Sequence, residues 1–90
     1  MVLKAVTLKV MPESPDTDLE EIKSSLSKYV ESNEGKISKI EEESIAFGLK
    51  ALNCFIGWPD EKDTEPLEEE IQKIDGVASA QVIDIRRAFG

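Results

Sequence analysis

The sequence predicts an α+β sandwich in the order β-α-β-β-α-β, with a four-stranded antiparallel sheet carrying two helices on one face. Three observations point there. Leu19, Ile22, Leu26, Tyr29 and Val30 recur at helical spacing, as do Leu67, Ile71 and Ile74. Stretches of alternating apolar residues flank both helices, and Asn, Gly or Pro separates the segments. Ninety residues are enough for one two-layer core, and too few for a core plus a deep enclosed active site. The expectation is one domain over residues 1–90 and a folded monomer.

Val2–Met11 places Val2, Val6, Leu8 and Val10 on one face, with Lys4 interrupting it near the start, and reads as a half-buried strand. Pro12, Ser14, Pro15 and Asp16 form a loop, since each proline removes a ladder donor and restrains the residue before it. Thr17 with Glu20 fits a capping box at the first helix start. Asn33-Glu34-Gly35 ends that helix, asparagine and glycine being tolerant of a left-handed backbone.

Lys36–Glu43 is a polar strand anchored by Ile37 and Ile40, the character of a protected edge. Leu49–Gly57 is its mate. There Leu52, Cys54 and Ile56 face the core, while Leu49, Ala51 and Phe55 make the other face apolar enough for a central position. Trp58-Pro59-Asp60 ends that strand, Asp63 or Thr64 caps the second helix, and Asp75-Gly76 stops it. Val77–Arg87 is the last strand, with Ala80 and Val82 inward and Ile83 and Ile85 blurring the alternation. Keeping both crossovers right-handed gives a ferredoxin-like sheet of order 4-1-3-2. In that topology the hairpin around Phe47 and the terminal Arg86-Arg87 lie at opposite ends of the sheet.

Charge narrows the functions. Nineteen acidic against eleven basic side chains give a net charge of −8, which repels nucleic acid and anionic membrane and favours a protein partner with a neutral or basic face. The chain has no histidine and one cysteine, which removes histidine acid/base chemistry, intrachain disulfides and the usual zinc ligand sets. No metal, cofactor or catalytic residue is expected. With no apolar run near the length of a membrane span and no signal-peptide pattern, a cytoplasmic protein is expected.

Several motifs have two readings. Phe47 beside Gly48 is either a hairpin aromatic folded back onto the sheet or an anchor for a partner's pocket. Arg86 and Arg87 are either a solvated strand end or a contact for a partner's phosphate, carboxylate or magnesium site. Glu41-Glu42-Glu43 and Glu65/Glu68-Glu69-Glu70 read as solvated surface. Cys54 reads as a buried small apolar residue, and Trp58 as either core edge or interface. An RNA-recognition module shares the strand order, but SIAFGLKAL has one aromatic where that motif wants three.

KVMPESPDTDLEEIK, IEEESIAFGLKALN and IDGVASAQVIDIRRAFG together resemble the archaeal elongation factor 1-beta family of guanine-nucleotide exchange factors. The resemblance implies a non-enzymatic factor that promotes GDP release from elongation factor 1-alpha, docking on two of its domains in its GDP-bound and nucleotide-free states. Phe47 matches the family's hairpin phenylalanine and is expected, with Gly48, to enter a pocket of the second domain. The C-terminal strand is expected to face the magnesium and phosphate region. Eukaryotic relatives place a penultimate lysine there, whereas this chain ends Arg86-Arg87-Ala88-Phe89-Gly90, so Arg86 and Arg87 are the candidate basic groups, with Phe89 beside them. A small-molecule-binding regulatory module of the same fold is the alternative.

Overall fold

A computed structural model describes residues 2–87. Its elements are β1 (Leu3–Pro12), α1 (Leu19–Ser32), β2 (Lys36–Ser44), a 3-10 turn at Ala46–Gly48, β3 (Lys50–Pro59), α2 (Glu65–Gln72) and β4 (Val77–Arg87). The strands form one sheet in the order β2-β3-β1-β4, antiparallel throughout, as the crossover argument requires. β3 and β1 are central, and the polar β2 is an edge.

Alternation along the central strands builds the core. Val6, Leu8 and Val10 of β1 pair with Ile56, Cys54 and Leu52 of β3. All six are buried beneath Ile22, Leu26 and Val30 of α1 and Leu67 and Ile71 of α2. Burial pushes the Cys54 thiol up to about 12, so it is a protonated apolar filler. Trp58 belongs to this core at 1% exposure, stacked on Tyr29 with ring centroids 6.2 Å apart. Its indole Nε1–H donates to the Asp63 carbonyl at 3.0 Å, which satisfies the one polar group that so large a buried ring carries.

Local chemistry differs from the sequence expectation at several points, one of them the start of α2, where Thr64 makes no side-chain capping bond. The cap of α1 is Asp18, whose carboxylate accepts from the amides of Glu20 and Glu21. Thr17 closes the preceding loop instead, its Oγ1 accepting from the Ser14 amide. At the other end of α1 the left-handed residue is Glu34 (φ 67°) rather than Asn33 or Gly35. Gly35 serves close approach: its amide donates to Val30 O at 2.9 Å, and a Cβ there would stand 2.8 Å from the Gly57 carbonyl. In β4, Thr7 pairs with Asp84 but Leu8 pairs with Val82, so Ile83 is an extra, bulged residue. That bulge is why the alternation blurs at Ile83.

Candidate functional site

The hairpin between β2 and β3 turns over few residues. Ile45 N–H donates to Leu49 O at 2.9 Å, and Leu49 N–H returns to Ala46 O at 3.3 Å. Closing the loop this tightly forces two consecutive left-handed residues, Phe47 (φ 63°) and Gly48 (φ 75°). Glycine adopts that conformation freely, whereas a phenylalanine there costs about 1–2 kcal/mol. The consequence is a ring that does not fold back onto the sheet: Phe47 is 92% exposed. Water-exposed aromatic surface on a backbone that disfavours it is a cost without return in the isolated chain.

The opposite end carries the cations. Lys4 pairs across the sheet with both Trp58 of β3 and Arg87 of β4. From Lys4 to Val10, which pairs with Leu52 near the hairpin, β1 rises about 20 Å. Along its longest axis the molecule spans 41 Å. Phe47 and Gly48 therefore share one end, Arg86 and Arg87 the other, and the sheet keeps the two pairs apart. Phe89 lies outside the described residues.

The two arginines have different surroundings. Arg86 shares the open face of the sheet with Ala5 and bonds Asp84 of its own strand at 3.1 Å. Arg87, on the face that carries the helices, reaches another element, donating from Nη1 to Asp60 Oδ1 at 2.8 Å. Asp60 belongs to a loop that is itself held. Lys4 is only 8% exposed, and its Nζ donates to the carbonyls of Asp60 (3.3 Å) and Lys62 (2.8 Å). Lys62 in turn donates to Asn33 O at 3.1 Å, and Trp58 holds the Asp63 carbonyl. In the sequence Lys4 is a break in an apolar face. In the fold it clamps the loop beside Arg87, a role whose signal, two carbonyls more than fifty residues away, no local pattern carries.

The acidic clusters are surface groups except for Glu68, which the sequence reads as solvated but whose half-buried carboxylate accepts from the Val82 amide at 2.6 Å, tying α2 to β4. Glu42 lies between Lys23 (3.1 Å) and Lys50 (3.8 Å), and Glu43 lies 3.7 Å from Lys9. Hydrogen bonding to Lys23 holds the Glu42 carboxyl below the ordinary carboxylate range. Among the described residues no group of three or more histidine, cysteine or acidic side chains is placed to hold a metal, and no helix is long and apolar enough to cross a membrane. A groove of about 370 Å³ runs over the open sheet face, floored by Leu3, Ala5, Phe55 and Gly57 and bordered by Thr7 and Lys39. Lys39 is already engaged, 4.9 Å over the Phe55 ring and 3.4 Å from Glu41.

A ferredoxin-like sheet with its projecting groups at the two ends has the layout of a surface-docking module. Comparison with known proteins gives its kind: the chain belongs to the EF-1 guanine nucleotide exchange domain family, matched over residues 5–88. It is 50% identical over 82 residues to an elongation factor 1-beta of Methanobrevibacter smithii, covering 90% of this chain and 91% of that protein. Identity is 46% to the elongation factor 1-beta of Methanothermobacter thermautotrophicus, over 90% and 91% of the two chains. To that of Staphylothermus marinus it is 42%, over 91% and 92%. The chain is a guanine-nucleotide exchange factor of translation elongation.

Proposed function

We propose that the chain acts as a single, non-enzymatic exchange domain that docks on elongation factor 1-alpha through both ends of its sheet, as a cytoplasmic monomer. Phe47, presented by Gly48, anchors the hairpin end in an apolar pocket. Arg86 and Arg87, with Phe89 beyond them, face the partner's magnesium and phosphate region. The observation that carries this reading is the exposed, left-handed Phe47, which is costly alone and useful only with a partner to cover it.

Magnitudes favour direct action at the nucleotide. A partner holding GDP at about nanomolar strength gives up ~12 kcal/mol, and thousandfold faster release takes roughly 4 kcal/mol off the barrier. Long-range coupling typically supplies about 1–3 kcal/mol. A contact that disturbs the magnesium or phosphate ligands supplies the difference. By reciprocity, bound GDP weakens the factor's own binding, so the nucleotide-free partner binds it most tightly.

Release of a fluorescent GDP from elongation factor 1-alpha tests the proposal. The factor should accelerate it in a saturable way, and Phe47→Ala should raise the concentration needed. A variant with wild-type concentration dependence would remove Phe47 from the interface. The small-molecule alternative has less support, because the groove on the open face is a shallow apolar trough whose bordering lysine is already paired.

A further inference from the structure

We propose that Asp60 is a positioning residue for exchange: it holds Arg87, and not Arg86, in the orientation from which the C-terminal end acts on the partner's nucleotide site. The inference rests on the assignment of that end to the nucleotide domain made above, and adds which arginine acts and what aims it.

Three observations converge on Asp60. Its carboxylate accepts from Arg87, its carbonyl accepts from Lys4, and its amide donates to Val2 O at 2.9 Å. The loop that carries it is fixed from several sides, by Lys4 on two carbonyls, Trp58 on a third, and a Lys62 N–H to Pro59 O bond of 3.0 Å. A carboxylate on so constrained a loop is a fixed acceptor. The Arg87 contact to it uses one N–H of the five on a planar guanidinium, so the group is tethered at one nitrogen while other donors stay available for an anion.

Charge reinforces the geometry. Lys4 and Arg87 are cross-strand partners of like sign, and Asp60 meets them with different groups, its carbonyl accepting from Lys4 and its carboxylate from Arg87. Removing the carboxylate charge leaves Arg87 without its one counter-charge, beside a like-signed neighbour, which lets the exposed guanidinium swing outward. Arg86 has no comparable restraint: its acceptor, Asp84, is two residues back on the same edge strand and exposed like itself.

Asp60→Asn keeps the side-chain volume and the backbone contacts and removes the charge. Measured on GDP release from elongation factor 1-alpha, the expected result is a maximal rate about fivefold lower, with an unchanged half-saturating concentration, as befits an interaction felt in the transition state. The melting temperature and the Trp58 indole N–H signal, which reports the loop, should stay as in the wild type. Asp60→Glu should recover most of the rate. In an Arg87→Ala background, itself about tenfold slow, Asp60→Asn should cost nothing further, because the two side chains act as one unit.

Wild-type rate for Asp60→Asn beside a slow Arg87→Ala would overturn the positioning role and leave the arginine reading standing. An equal loss in both backgrounds would also overturn it, since Asp60 would then act without Arg87. Wild-type rate for Arg87→Ala would instead sink the arginine reading itself. If asparagine disturbs the turn, Asp60→Ser removes the same charge with the backbone contacts kept and decides the question in the same way.

Discussion

The two ends of the sheet are built on opposite plans. At the hairpin end the proposed anchor touches almost nothing of its own protein: Phe47 is held out by backbone conformation alone. At the other end Lys4, Trp58, Asp60, Lys62 and Arg87 are bonded to one another, to loop carbonyls and to the end of α1. An isolated anchor can be changed without the fold noticing, whereas the buried members of the network, Lys4 and Trp58, cannot. Binding and stability should therefore separate cleanly at one end and, at the other, only for the more exposed Asp60 and Arg87.

The largest effect expected from this contrast is on stability. Trp58→Ala removes a fully buried ring, its stack on Tyr29 and the donor to Asp63 O, and should cost about 3–5 kcal/mol. Thermal or urea unfolding reads it. A loss under about 1 kcal/mol would mean that the end is far less interlocked than its bonds imply. Phe47→Ala is the counterpart. It should leave unfolding within about 0.5 kcal/mol of the wild type, as surface changes do, while weakening binding to elongation factor 1-alpha by about 2–3 kcal/mol, roughly 30- to 150-fold. Titration calorimetry with the nucleotide-free partner measures that, and comparable losses in folding and binding would erase the contrast.

Backbone changes sharpen the same point with smaller effects. A Cβ at Gly48 would meet only Pro15, at 3.9 Å, so Gly48→Ala is penalised for its positive φ and not for space. The expected loss of stability is about 1–2 kcal/mol. Phe47→Gly should move the other way, gaining a fraction of about 1 kcal/mol by relieving the left-handed phenylalanine, while losing as much binding as the alanine variant. A glycine variant less stable than the alanine one would show that no strain is stored there.

How legible these ends were in the sequence follows the same division. Alternation and helical spacing placed every strand and helix, and connectivity alone put Phe47 and the arginines at opposite ends. Those are properties of short segments and of crossover handedness. Lys4, Asp60 and Lys62 were not legible as a cluster, because their bonds join positions as much as 58 residues apart, and a lysine on an apolar face looks like an interruption until its carbonyls are known. The bulge at Ile83 was visible only as blurred periodicity, since an inserted residue reverses the face of everything beyond it. Thr17 and Asp18 were confused for a plainer reason: adjacent capping residues differ by one register step, and only the chain's entry angle chooses between them.

The smallest effect concerns the ionic ties near the hairpin end, where Glu42 of β2 accepts from Lys23 of α1 and approaches Lys50. Its carboxyl titrates below the ordinary value of 4.5 in the folded chain, through the hydrogen bond and charge of Lys23. A group whose folded pKa is lowered contributes stability above its unfolded value and loses it as pH falls through the folded one. Lys23, raised above 10.5 mainly by the bond to Glu42, works in reverse: its share is present below 10.5 and lost as pH rises through the folded value. Glu42→Gln should therefore lower the melting temperature slightly near pH 7, and the difference from wild type should vanish under acid and shrink in about 1 M salt, where exposed pairs are screened. Hydrogen bonds from the buried Lys4 to loop carbonyls at the other end should keep their contribution in the same salt. Equal salt sensitivity of Glu42→Gln and a Lys4→Met variant would mean that both ends are held by the same surface electrostatics.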